Sequence, residues 1–217
     1  MKTIGDPEGF VLENTRLRAV PMVPEISLHV ADDALPIWEK TEEELGALGL
    51  PPPFWAFAWA GGQALARHLL DHRELVAGKD VMDFASGSGL VAIAAVMAGA
   101  RTVLATDIDP ICRAAMDLNA RANSVVFDID MADVTTGPSR GCDVICAGDV
   151  FYESAMADAV SAWLERECAN GALALVGDPG RSYLPRHRLE KLADYRVPVT
   201  RALEDADIKD SSVWAFR

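Results

Sequence analysis

The stretch DFASGSG, Asp83 to Gly89, decides the fold. It belongs to an apolar run, VMDFA (81–85), that carries one carboxylate and then gives way to small residues with two glycines. The next twelve residues, GLVAIAAVMAGA (89–100), are apolar at helical length and have a glycine near their end, where helices favour a left-handed cap. A strand, a glycine-rich turn and a helix in that order open a nucleotide-binding α/β sheet.

The chain keeps alternating beyond that unit. TVLATD (102–107) reads as a strand, and DPICRAAMDLNARAN (109–123) as a helix capped by Asp109, with Pro110 at its first position. VVFDID (125–130), CDVICAGD (142–149) and ALALVGD (172–178) read as further strands, and MADAVSAWLEREC (156–168) as an amphipathic helix. RHRLEKLADY (186–195) is expected to be helical, with RVPVTRAL (196–203) and SSVWAFR (211–217) forming a closing hairpin. Strands separated by helices of ten or more residues imply a parallel, doubly wound sheet. The fold class is therefore α/β: a Rossmann-like seven-strand sheet with helices on both faces and a C-terminal antiparallel hairpin.

Upstream, residues 1–50 read as an N-terminal extension and 51–217 as the main domain. Asp6 and Pro7 cap a helix expected to run to about Leu17, where Pro21 and Pro24 end it. ISLHVAD (26–32) alternates like a strand, LPIWEKTEEELGALGL (35–50) is partly helical, and an amphipathic helix is expected from about Gly62.

Composition narrows the partners. A net charge of −13 disfavours nucleic acid, whose phosphates need Lys and Arg, and suits a basic protein surface or simple solubility. The N-terminus lacks the apolar core of a signal peptide, and no apolar run approaches the ~20 residues that span a bilayer. Cys112, Cys142, Cys146 and Cys168 form neither a CxxC pair nor a zinc-like spacing, so reduced thiols, a cytoplasmic location and no metal are expected. His68 and His72 are one helical turn apart and lack an evident third ligand.

Three ligands compete for the turn. A phosphate-binding P-loop is excluded because GxxxxGK followed by Ser or Thr is absent. A dinucleotide fingerprint fits Gly87-Ser88-Gly89-Leu90-Val91-Ala92 as GxGxxA, with Asp107 about 20 residues on. Asp83 discriminates: a carboxylate at the strand mouth repels a pyrophosphate and welcomes the ammonium and sulfonium of S-adenosylmethionine. Asp107 then accepts hydrogen bonds from the ribose hydroxyls. The turn, the acidic second strand end and the closing hairpin together resemble the seven-strand S-adenosylmethionine-dependent methyltransferases, in which Ala85 replaces a frequent glycine.

The segments PPPFWAFAWAGGQALARHLLD, DIDPICRAAMDLNARAN, GDVFYE and GDPGR narrow this further. From about Phe54 to the C-terminus they resemble the electron transfer flavoprotein beta-subunit lysine methyltransferases, with Asp149-Val150-Phe151-Tyr152 as the D-x-x-Y element of that group. Ala60 departs from the proline of the related animal enzymes. The ribosomal protein L11 methyltransferases are the neighbouring option; they carry an N-I-L-A-type element where this chain has GDVFYE. The resemblance implies transfer of methyl groups to lysines of a protein substrate, with the flavoprotein beta subunit as that substrate, by a monomer that binds neither nucleic acid nor membrane.

It also implies a set of site residues. Trp59, Asp83, Ala85, Ser86, Gly87, Gly89, Asp107, Ile108, Asp133 and Gly148 are expected at the cofactor, and Asp149 and Tyr152 at the reacting amine. Phe151 and Arg181 are expected at the substrate entrance. A free lysine has a pKa near 10.4, so the site must present its amine without the proton. A bare carboxylate stabilises the ammonium, so Asp149 is expected to orient the lysine rather than act as a strong base. Asp149 and Tyr152 as helix caps, Asp133 as a turn residue and GDPGR as a plain turn are the structural alternatives.

Overall fold

The computed structural model describes residues 5–31, 52–199 and 207–217. Its centre is a sheet of seven strands: β3 (Asp80–Phe84), β4 (Thr102–Thr106), β5 (Asp128–Asp130), β6 (Val144–Gly148), β7 (Leu173–Asp178), β8 (Leu189–Pro198) and β9 (Ile208–Phe216). Their order is β5-β4-β3-β6-β7-β9-β8. The first five pair in parallel; β9 runs antiparallel to both β7 and β8 and closes the sheet with a hairpin. The doubly wound sheet with its terminal hairpin is thus the one expected from sequence.

Alternation along β3 explains the two layers of core. Val81 faces a cluster built with α2 (Ala60–Asp71), α3 (Leu90–Met97) and α4 (Pro110–Ala122). Met82 and Phe84 face the opposite cluster, where Val160, Trp163 and Leu164 of α5 (Ser154–Ala169) pack. Every central strand of this sheet is covered on both sides, which is why each reads as a continuous apolar run. Asp83 falls on the α3 side of β3, and this placement sets its role below.

Two expectations are corrected. The N-terminal helix, α1 (Pro7–Asn14), starts at its Asp6 cap, whose carboxylate accepts from Gly9 N at 2.9 Å. It stops at Thr15, whose hydroxyl donates to Val11 O, and β1 (Arg16–Val20) follows, paired with β2 (Val23–Val30). The stretch 186–195 is not a helix. A single short turn at Arg186–Arg188 leads into β8, which pairs with β9 along almost its whole length. A register shift between Lys191 and Ala193 inserts one extra residue and leaves Leu192 exposed. That bulge imitates helical spacing of the apolar residues, and long-range pairing overrides local propensity.

The N-terminal hairpin is sewn to the helices by side-chain amides, two of them buried. Asn123 Oδ1 accepts from Ser27 N at 2.9 Å, and Gln63 Oε1 accepts from Met22 N at 3.1 Å. Asn119, fully buried, accepts from His29 N at 2.7 Å and donates to Ser88 O at 2.8 Å, tying the hairpin to the glycine-rich turn. The partly helical reading of 35–50 lies outside the described residues. Among those described, no helix is long and apolar enough to cross a membrane.

Candidate functional site

The carboxyl ends of β3, β4, β6 and β7 converge on one rim, the position where open α/β sheets hold ligands. At β3 the chain turns sharply. Ala85, Gly87 and Gly89 take φ values of 52°, 53° and 84°, and Ser86 N donates to Thr106 O at 2.9 Å. Left-handed backbone is inexpensive for the two glycines and strained for Ala85. The turn leads directly into α3, with Gly87 N donating to Asp107 and Gly89 N to Ser86 O, and this turn–helix junction is the candidate cradle for a ligand.

Asp83 is the keystone of that turn. Its Oδ2 accepts from Ser86 Oγ at 2.5 Å and from Ala92 N at 3.0 Å, and the residue is 2 % exposed. Burial pushes its pKa up to about 7, against the lowering effect of those two donors; the nearby Asp107 adds to the rise. The sequence expectation had Asp83 open to a cationic ligand. The structure turns it inward, beneath the glycine-rich turn, onto Ser86 and Ala92.

Asp107, at the tip of β4, joins the two halves of the rim: Oδ2 accepts from Gly87 N at 2.8 Å and Oδ1 from Asp109 N at 3.0 Å. Ile108 beside it is an exposed apolar side chain, 74 % accessible. Asp133 is placed differently from the rest. It is exposed and accepts from the Thr135 amide and hydroxyl in a self-contained turn, which matches its structural alternative.

The second half of the rim is built by close backbone contact. Gly61 and Gly62, in the first turn of α2, press on the ends of β6 and β7. A Cβ on Gly61 would lie 2.5 Å from Asp149 Oδ2, and one on Gly148 would lie 2.9 Å from Gly62 Cα. Gly177 N–C–O backbone faces Gly61 in the same way, and a Cβ there would meet Leu65 Cβ at 2.8 Å. This contact brings Gly62 N to Asp149 Oδ2 at 3.0 Å. Asp149 itself is left-handed at φ 57°, a conformation Asp tolerates better than most residues.

Arg181 completes this half of the rim. Its Nη2 donates to Asp149 Oδ1 at 2.9 Å, and its guanidinium lies 5.7 Å from the Trp59 ring centroid. The GDPGR loop holds Arg181 in place, because Asp178 Oδ1 accepts from Gly180 N at 2.6 Å and Arg181 N at 2.7 Å. Burial pushes the Asp149 pKa up to about 6; the Arg181 charge pulls against that rise and Asp178 adds to it. Burial also raises Asp178, against those amides and the guanidinium.

Aromatic rings frame this ion pair. Phe54 packs on Trp59 at 6.0 Å and on Tyr152 at 5.6 Å between centroids, and Trp59 Nε1 donates to Phe54 O. Tyr152 is 45 % exposed, and burial of its remainder, with Glu153 and Asp107 nearby, raises its pKa. A cavity of about 340 Å³ lined by Tyr152, Pro179, Gly180, Arg181, Ser182 and Lys209 adjoins it.

Trp59, expected either to stack on the cofactor or to anchor the N-terminal extension, contacts Arg181 and Phe54. Phe151 is fully buried in the core that α5 covers, so it anchors the D-x-x-Y element from behind instead of walling the entrance. Gly61, Gly62, Gly177, Phe54, Asp178 and Asn119 are absent from the sequence-derived set. The doubled glycine at a helix start, next to a run of aromatics, was the legible signal for the first of these. His68 is buried with Nδ1 2.9 Å from Tyr195 OH and its ring tilted against His72, 4.4 Å between centroids. Among the described residues, no cluster of His, Cys, Asp or Glu is arranged to hold a metal.

Comparison with known proteins places this geometry. Residues 64–154 match the model of the family described as Ribosomal protein L11 methyltransferase (PrmA). The electron transfer flavoprotein beta subunit lysine methyltransferase of Xenopus laevis is 37 % identical over 216 residues, covering 97 % of this chain and 87 % of that protein. Its Homo sapiens counterpart is 36 % identical over 222 residues, covering 98 % of this chain and 83 % of that protein. Among solved structures, ribosomal protein L11 methylase from Lactobacillus delbrueckii subsp. bulgaricus shares the fold. Its TM-score is 0.52 at 20 % identity, over 74 % of this chain and 81 % of that one.

Proposed function

Because the chain belongs to the electron transfer flavoprotein beta subunit lysine methyltransferase family, we propose that it methylates lysine side chains of that flavoprotein subunit. It is an S-adenosylmethionine-dependent protein-lysine N-methyltransferase. The observation that carries the acceptor assignment is Asp149 beside Tyr152 and Phe54, on the same rim as the glycine-rich turn and Asp107. We read residues 51–217 as the catalytic domain and the preceding segment as an extension packed on it.

The cradle fits the donor. Left-handed backbone at Ala85, Gly87 and Gly89, Asp107 at the strand tip and the exposed Ile108 are suited to an amino-acid tail, a ribose and an adenine in turn. When bound, S-adenosylmethionine supplies a methyl group made electrophilic by its sulfonium. Ser86, Gly87, Gly89 and Gly148 hold the amino-acid end through backbone, with Asp83 compensating its positive charge from below. Asp107 accepts from the ribose hydroxyls through whatever lone pairs Gly87 N and Asp109 N leave open. Tyr152, Phe54 and Trp59 wall a narrow channel that strips water from the lysine, and desolvation lowers an amine pKa. Their ring faces also suit a nitrogen that already carries methyl groups. Asp149 orients the amine, and alignment of the reacting pair is the main catalytic contribution.

A second reading is favoured by one observation: the L11 methyltransferase model matches residues 64–154. That span holds the cofactor turn and ends just past Tyr152, so it speaks mainly for the shared donor half. Incubation with labelled S-adenosylmethionine and purified electron transfer flavoprotein or ribosomal protein L11 separates the readings. Label on the flavoprotein beta subunit supports the proposal; label on L11 alone moves the assignment to the second. With a net charge of −13, binding of a lysine-rich surface is expected to weaken as salt rises, read as an increase in KM for the protein substrate. A KM independent of ionic strength argues against electrostatic recruitment.

A further inference from the structure

A carboxylate placed to receive a lysine creates a difficulty for amine methylation. The reacting nitrogen needs its lone pair, and an uncompensated carboxylate holds the proton on. In this structure Asp149 is compensated. Its Oδ2 is engaged by Gly62 N–H, and its Oδ1 by the Arg181 guanidinium, with Nη2 at 2.9 Å and Nε at 3.3 Å. Arg181 is held there by Trp59 beneath its plane and by the Asp178 carboxylate gripping the backbone of its loop.

We propose that Arg181 is a positioning residue that neutralises Asp149, so that the acceptor lysine is oriented by a carboxylate without being kept as an ammonium. The proposal rests on the lysine-methyltransferase reading above. Oδ1 is taken up by the two guanidinium donors, whereas Oδ2 has only Gly62 N and keeps a second lone pair, so Asp149 can still accept one N–H from a neutral amine. The nitrogen lone pair is then free to face the methyl group. The ammonium first releases its proton to water. The N–C bond forms as the S–C bond breaks with its electron pair going to sulfur, and the product ammonium returns its extra proton to water.

Of the other charges, Asp178 at the end of β7 acts on Asp149 directly. Glu153 and Asp107, at the tip of β4, act on the neighbouring Tyr152. Lys209 at the start of β9 lines the adjoining cavity together with Arg181. The excess of carboxylates makes a cation at position 181 the element that keeps the amine's surroundings from being strongly negative.

The test is the pH profile of kcat at saturating S-adenosylmethionine and protein substrate, which reports the amine in the bound complex. Arg181→Met should move the apparent pKa upward by about one unit or more, the size expected when one charge within about 4–6 Å is removed. Asp149→Asn leaves Arg181 uncompensated and should move it downward, while Arg181→Lys should stay close to the unaltered enzyme. Binding of S-adenosylhomocysteine, read by thermal shift, establishes that each variant is folded. Shifts in the same direction for Arg181→Met and Asp149→Asn would overturn the proposal, as would a kcat lowered equally at every pH. If the unaltered enzyme methylates no lysine, the functional reading itself fails. If it does and the profile ignores position 181, only this inference fails.

Discussion

Donor binding should be steeply pH-dependent, and Asp83 is the reason. In the folded protein its pKa is pushed up to about 7 by burial beneath the glycine-rich turn, from an ordinary 3.8. The sign follows from linkage. The native state keeps a proton at Asp83 that the unfolded chain has lost between about pH 4 and 7, so this group's contribution to stability is present below about pH 4 and disappears as pH rises through about 7. Three units correspond to about 4 kcal/mol, an upper figure for a side chain that is 2 % exposed. A ligand carrying an ammonium and a sulfonium above the turn favours the ionised form and reverses this. If binding returns the Asp83 pKa to its ordinary 3.8, protonation of the free enzyme weakens binding about 25-fold between pH 7.5 and 5.5, or about 2 kcal/mol. At pH 7 about half a proton should leave per ligand bound. Isothermal titration calorimetry with S-adenosylmethionine, in buffers of different ionisation enthalpy, measures both quantities. Asp83→Asn should flatten most of the dependence, leaving the smaller contribution of groups such as Asp109 and Asp149, each pushed up to about 6. A flat profile for the unaltered protein, or an unchanged slope in Asp83→Asn, refutes the reasoning.

Three further outcomes follow from particular contacts. Gly61→Ala should lift the start of α2 from β6 and β7, because the added carbon would lie 2.5 Å from Asp149 Oδ2; a loss of about 2 kcal/mol in denaturant unfolding and a greater loss of kcat are expected. Ala85→Gly should stabilise by about 0.5–1 kcal/mol, since removing left-handed strain of about 1–2 kcal/mol outweighs the added freedom of the unfolded chain. An equal or lower Tm would contradict the strain argument. Asn119→Ala leaves His29 N and Ser88 O without their buried partner; about 2 kcal/mol of stability and weaker S-adenosylhomocysteine binding are expected, measured by chemical denaturation and calorimetry.

Legibility along the chain tracks how local the deciding interaction is. The Asp109–Pro110 start of α4 was readable because a cap and its amide are two residues apart, and Asp109 Oδ1 does accept from Ile111 N at 2.9 Å. The start of α1 was readable for the same reason. Its end was not, because Thr15 back-bonding to Val11 competes with a helical pattern that the composition allows to continue. β8 was misread since its bulge imitates a helical period and its partner strand is supplied from beyond residue 207. At the site, the D-x-x-Y spacing marked Asp149 and Tyr152, yet nothing near them announced that Phe151 between them points into the core.

What the sequence determined by itself is the order of strands and helices from β3 to β7, the glycine-rich turn after β3 and the acidic tips of β4 and β6. All of these depend on residue type and on neighbours within a turn or two. What only the tertiary structure decided is the state of the carboxylates. Asp83 faces inward to Ser86 and Ala92, and Asp149 is bound by Gly62 and Arg181, which lie 87 and 32 residues away in the chain. A carboxylate's chemistry is set by burial and by the charges beside it, and those are assembled only when the distant ends of the parallel strands are brought to one rim.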